Sequence, residues 1–317
     1  MDNDYLWDRS GDDAEVQRLE DMLAVYRFTG SRRFGGAPPP PAAWSWRPLA
    51  AAAAIILAVS AEVWWSWPPP RNAWRATEVS GNATVAPRAT LKAGEIVKTG
   101  SASRVRLEAS AIGIVDVGEN TTVRLIENRN GRHILALASG TIHARTTSPP
   151  GIFVVDTPRA RAIDLGCEYR LSVAPNGMGV LRVSSGWVEL TRNFTQTLVP
   201  QGAAATIASD GTLSAPYFED ASPAFQEAVR GYDLPVILRL ARRRDALTIL
   251  NLFSRATPDE RLQIYDRLNQ LVPAPQTISR EVVRWWTPRA TESWWPSVLQ
   301  ASGVSAIKKK KGMLHGL

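Results

Sequence analysis

The sequence predicts a mainly β protein set behind one N-terminal transmembrane helix and closed by a small C-terminal helical module. Three patterns carry that prediction. An apolar run extends from Leu49 to Trp67, short alternating runs follow from about Trp74 to Ile207, and helical spacing takes over after Pro223. The 317 residues are 44% hydrophobic and 21% charged, so the chain can bury a core and disorder is not its default state.

The run Leu49 to Trp67 holds nineteen residues with a single charge, Glu62. A helix of that length matches the hydrocarbon thickness of a bilayer. Trp44 and Trp46 precede it, and Trp64, Trp65 and Trp67 close it, as indole rings do at headgroup level. Pro38 to Pro41 and Pro68 to Pro70 would stop the helix on either side. The long segment before it does not suit a cleaved signal peptide, so an uncleaved anchor is expected. Arg27, Arg32, Arg33 and Arg47 outnumber Arg71, Arg75 and Arg88 near the span. The positive-inside rule then places the N-terminus in the cytoplasm, the lipid bilayer around residues 49–67 and the rest outside the inner membrane.

Before the span, residues 12–28 form a predicted helix, with Asp12 as cap and Glu15 at the capping-box position. Val16, Leu19, Leu23 and Tyr26 fall on one face, and Tyr5, Leu6 and Trp7 make a second apolar cluster upstream. So short a tail cannot bury this surface by itself. Trp7, Val16, Leu19, Leu23 and Tyr26 are therefore the candidate partner-binding residues. The boundaries that follow are a tail at 1–30, a Pro/Gly linker at 31–48, the membrane helix at 49–67 and a linker at 68–74. The β domain covers 75–215, the helical module 223–300, and a basic tail with Lys308 to Lys311 covers 301–317.

Strand signals recur through the β body. Val105 to Leu107, Thr122 to Ile126, Ile152 to Val155, Tyr169 to Val173 and Gly179 to Val183 are rich in branched residues. Asn130-Gly131 and Asn176-Gly177 suit tight hairpins. Gly94, Gly140 and Gly186, each two residues before Ile or Val, are evenly spaced, with Gly118 and Gly166 as an offset pair. A repeated glycine followed by a strand predicts stacked β units, as in a β-roll or solenoid-like sandwich.

Several of these stretches resemble the FecR domain. They are Leu91-Lys-Ala-Gly-Glu-Ile-Val-Lys-Thr-Gly100, Arg104-Val-Arg-Leu107 and Asp116-Val-Gly-Glu-Asn-Thr-Thr-Val-Arg-Leu125. Leu137-Ala-Ser-Gly-Thr-Ile142, Val154-Val-Asp-Thr-Pro158, Arg161-Ala-Ile-Asp-Leu-Gly166 and Val183-Ser-Ser-Gly-Trp-Val188 complete the set. The resemblance covers residues 75–207. It implies an exported FecR-like sensor domain behind one membrane helix. It further implies a cytoplasmic segment that handles an extracytoplasmic-function sigma factor, and an exported or outer-membrane protein as the input. The tail has neither His nor Cys, so a zinc-containing anti-sigma domain does not fit. A structural or scaffolding envelope protein is the alternative reading.

After the β body, Ser222-Pro223 opens a helix with Phe225, Val229 and Tyr232. Leu234 to Leu240 and Ala246 to Phe253 are apolar helical runs. Thr257-Pro-Asp-Glu260 combines a cap, a first-turn proline and a capping-box glutamate ahead of Leu262, Tyr265, Leu268 and Leu271. Three or four helices are expected up to about Val272. Trp285-Trp286 and Trp294-Trp295 fill this module, rest on lipid headgroups or serve as interface anchors. Arg242 to Arg244 lack the aromatic platform of a nucleic-acid site, and no such partner is expected.

No cofactor is implied, and no phosphate-loop, dinucleotide, nucleophile-elbow or zinc-protease motif occurs. The single Cys167 allows no intrachain disulfide and reads as a buried structural thiol. Asp116, Asp156 and Asp164 read as turn caps. The expected function is regulatory rather than enzymatic.

Overall fold

The computed structural model describes residues 14–24 and 73–305, apart from 130, 194 and 286. The apolar run 49–67, its tryptophan belts, the linker at 31–48 and the lysine tail lie outside these residues. Among the described residues no helix is long and apolar enough to cross a membrane. The first described element is helix α1, Ala14–Ala24, which belongs to a unit separate from the rest of the chain.

The second unit begins with fourteen strands. They are β1 (Arg75–Ser80), β2 (Ile96–Lys98), β3 (Arg104–Ala109), β4 (Gly113–Val117), β5 (Thr122–Arg129), β6 (Arg132–Thr146) and β7 (Phe153–Asp156). Then follow β8 (Arg161–Asp164), β9 (Glu168–Val173), β10 (Gly179–Ser185), β11 (Trp187–Arg192), β12 (Thr195–Pro200), β13 (Ala203–Ile207) and β14 (Tyr217–Phe218). All five expected strand runs fall in or against these elements.

The strands form one continuous sheet that curls over itself through β6. Residues 140–146 of β6 pair with β4 and β9, in a layer that runs on to β3 and β1 on one side and to β10, β13 and β14 on the other. Residues 132–139 pair with β5 and β7, in a second layer that continues to β2 and, through β8 and β11, to β12. The inward residues of both layers meet in one core. Val105, Leu107, Val115, Val117, Leu171 and Leu181 come from the first layer, and Val123, Leu125, Leu135, Leu137, Val155 and Val188 from the second. Their period-two placement is the alternation seen in the sequence.

The evenly spaced glycines do not mark stacked solenoid coils. Successive coils would pair in parallel, whereas here only β6 and β7 do so and the other described pairs are antiparallel. What recurs is a corner. Gly140 has φ 98° where β6 leaves one layer for the other, and Gly186 has φ 73° between β10 in the first layer and β11 in the second. A side chain at Gly140 would overlap the backbone and hydroxyl of Thr121, and one at Gly186 would overlap the Gly166 carbonyl and Cys167. Only glycine meets both demands.

The helical module follows the expected starts. α2 (Pro223–Gly231) is capped by Ser222, α3 (Leu234–Leu240) by Asp233, and α4 is Ala246–Leu252. In α5 (Pro258–Leu271), Thr257 N–H donates to Glu260 Oε2 at 2.7 Å and Glu260 N–H donates to Thr257 Oγ1 at 3.3 Å. Its most buried line is Ile264 and Leu268. The module then goes beyond Val272, with α6 (Arg280–Arg284), a 3-10 turn at Pro288–Trp294 and α7 (Trp295–Ser302). The weak apolar period of these short pieces hid them in the sequence. Trp294 is fully buried, packs edge-on against Tyr265 at 5.5 Å and donates to the Val272 carbonyl at 3.2 Å, whereas Trp285 is 73% exposed.

The arginine run latches the module to the sheet. Arg242 pairs with buried Asp245 at 2.9 Å and with Asp220, just past β14, at 3.1 Å. Arg244 pairs with the same Asp220 and lies over the Phe218 ring at 4.8 Å.

Gly140→Ala is expected to destabilise the protein by about 2–6 kcal/mol, combining left-handed strain with overpacking. Gly131→Ala, at φ 82° with open space around it, should cost about 1–2 kcal/mol from strain alone. Urea unfolding midpoints of the two variants check the difference.

Candidate functional site

The expected tail helix is present as α1 over Ala14–Ala24, and the remaining positions of the 12–28 read from the sequence, with the Asp12 cap, lie outside the described residues. Of the candidate residues, Val16, Leu19 and Leu23 lie on it, and Trp7 and Tyr26 lie outside the described residues. Leu19 is 51% exposed and Leu23 61%. Met22, at 62%, stands one turn beyond Leu19 and joins their face. It was legible as an i+3 neighbour of Leu19, but it does not fit the 16-19-23-26 stripe. Glu15 in the first turn suits the positive end of the helix dipole.

The outer face of the first sheet layer carries a row of polar residues held in register. Glu78, Arg106, Asp116, His143, Arg170 and Arg182 follow one another across β1, β3, β4, β6, β9 and β10. Asp116 accepts from Arg106 Nε at 2.7 Å and from an Arg145 terminal nitrogen at 2.9 Å. Arg106 also donates to Glu78 at 2.9 Å, and His143 Nε2 sits 2.9 Å from Glu168. Asp116 is therefore a clamp between strands and not the turn cap expected from its neighbourhood. Asp156 bonds Arg161 in bidentate fashion at 2.6 and 3.0 Å across the β7–β8 turn.

Asp164 does cap a turn, accepting the Gly166 N–H at 2.6 Å. It also accepts the Thr146 hydroxyl at 2.8 Å and the Cys167 thiol at 3.0 Å, and it is fully buried. Burial raises its carboxyl pKa above the ordinary range, partly offset by these bonds. Burial, followed by the neighbouring Asp164 charge, pushes the Cys167 thiol far up. That is the reverse of what activates a thiolate nucleophile. His133 is buried beside Trp74, its ring nitrogens have no partner, and burial lowers its pKa. Among the described residues no group of three or more His, Cys, Asp or Glu could hold a metal ion. The arrangement supplies exposed charge pairs on one sheet face and a hydrogen-bonded polar cluster in the core.

Residues 95–189 match the FecR protein family. The FecR region thus runs from the start of β2 into β11. It contains Arg106, Asp116, His143, Arg170 and Arg182 of the outer row, together with the Asp164–Cys167 cluster. No curated protein matches the chain in sequence. Among solved structures, two crystal structures, each described as a candidate anti-sigma factor from Parabacteroides distasonis, are similar at 16% and 15% identity, each with a TM-score of 0.34. The matches cover 40% and 43% of this chain, and the chain spans only 60% and 65% of theirs.

The FecR region ends at Glu189, which is buried in β11 between Ile163 of β8 and Leu198 of β12. Burial raises its pKa above the ordinary 4.5. The folded state therefore holds the proton more tightly than the unfolded one. This contribution is fully present below pH 4.5 and is lost as pH rises through the folded-state value. Glu189→Gln should accordingly melt at a higher temperature than the parent at pH 7, with the gap closing near pH 4.5. Melting curves across that range check it.

Proposed function

We propose that the chain is a transmembrane signalling regulator of the FecR type. Residues 49–67 cross the inner membrane, the exported β domain meets a protein partner, and the cytoplasmic tail controls an extracytoplasmic-function sigma factor. The observation that carries this reading is the FecR match over 95–189, in a β body that follows an apolar run of membrane length. The tail adds physical support. α1 exposes apolar side chains, and docking their face on a partner would remove that surface from water. Leu19, Met22 and Leu23 are that face.

A lone membrane helix transmits bending poorly. The state of the exported domain therefore reaches the tail through a change in its exposure or its proteolysis, with release of the sigma factor as the output. The partner on the far side is an exported or outer-membrane protein, as the FecR resemblance implies.

Two measurements test this. Alkaline phosphatase fused after residue 80 should be active and fused before residue 40 inactive, and activity on both sides would overturn the membrane crossing. The full chain in detergent should retain a sigma factor, identified by mass spectrometry, and Leu19→Glu with Leu23→Glu should weaken that binding about tenfold or more. Retention of no sigma factor would leave the chain as a scaffold.

A further inference from the structure

A cleft of about 270 Å³ opens where the β11–β12 hairpin, the loop after β13 and the chain just past α4 come together. Arg192, Thr195, Thr212, Leu213 and Arg255 are among its walls. It lies outside the FecR region and outside the tail, so it is independent of the sigma-factor reading.

The charges are the unusual feature. The Arg255 guanidinium donates to the Leu213 carbonyl and, at 3.1 Å, to Thr197 Oγ1, while its Nε is buried without a partner. No carboxylate among the described residues pairs with it, and burial lowers its pKa. A guanidinium removed from water without a counter-charge is costly, and an incoming anion would relieve that cost. Arg192 stands at the lip, where it donates to the Asp210 carbonyl. The Asp210 carboxylate is turned to Thr212, accepting its N–H at 2.8 Å and its hydroxyl at 2.9 Å, and it also feels the Arg192 charge.

Two arginines against one aspartate leave a single positive charge in the cleft, which suits a monoanion over a phosphate dianion. Planar guanidinium groups match a carboxylate, whose two oxygens accept in the same plane. The volume is just under the roughly 300 Å³ at which drug-sized ligand pockets begin, so one small group fits. We propose that this cleft binds a carboxylate between Arg192 and Arg255, either a small free acid or the C-terminal carboxylate of a peptide.

The experiment uses the full chain in nonionic detergent, with saturation transfer from protein to probe read by NMR. The probes are sodium propionate, N-acetyl-trialanine, its C-terminal amide and inorganic phosphate. Transfer to the free acids but not to the amide is expected. Arg192→Gln should weaken binding about tenfold or more, and Arg255→Met further. Propionate binding as well as the peptide indicates a site for free acids, and the peptide alone indicates a chain terminus. Arg192→Gln changes only the lip and keeps the test valid if Arg255→Met does not fold. Equal transfer to acid and amide, binding of phosphate alone, no transfer to any probe, or unchanged affinity in Arg192→Gln would each overturn the proposal.

Discussion

Both sheet layers depend on the turn that β6 makes at Gly140. Its first half is a strand of one layer and its second half a strand of the other, and the core lies between them. The left-handed backbone at φ 98° and the close approach to Thr121 leave no room for a side chain. Thr121 turns that approach into a joint, since its hydroxyl accepts the Thr141 N–H at 2.9 Å and its own N–H donates to Thr99 Oγ1 at 3.0 Å. Corners built this way let antiparallel strands enclose a core without the parallel stacking of a solenoid.

A second joint sets where the helices sit. Asp220 follows the last strand and accepts Arg242 and Arg244, while buried Asp245 holds Arg242 from the module side. Hydrogen bonds from Arg242 offset the desolvation of Asp245, which would otherwise be severe. At the far end of the module, Trp187 of β11 donates to the Ser305 carbonyl at 3.0 Å, so the chain closes back on the second layer. The cleft with Arg255 exists because the module is fastened in this position.

Among the described residues the polar side chains divide between internal bonds and surface pairs. The buried Asp164–Thr146–Cys167 cluster spends its hydrogen bonds internally, and its thiol is held protonated. The polar groups that face water are the paired charges of the outer row, whose exposed ion pairs contribute little stability. On α1 the apolar Leu19, Met22 and Leu23 face water instead. The FecR match over 95–189 covers the outer row from Arg106 to Arg182 and leaves the tail and the cleft to be understood from their own chemistry.

The sequence by itself determined what depends on near neighbours. The Thr257–Glu260 capping box, the Ser222 cap and the strand alternation of Val105, Leu107 and Ala109 involve residues a few positions apart. The glycine spacing was legible, but its meaning was not, because a corner and a coil both call for glycine before a strand. Tertiary structure decided what depends on register and docking. Asp116 became a clamp because β3 and β6 place Arg106 and Arg145 beside it. Trp294 went inside while Trp285 stayed outside, and Arg192 and Arg255 came to line one cleft from distant parts of the chain. Contacts between distant residues leave no periodic trace, since their geometry is set only once both layers and the module have packed.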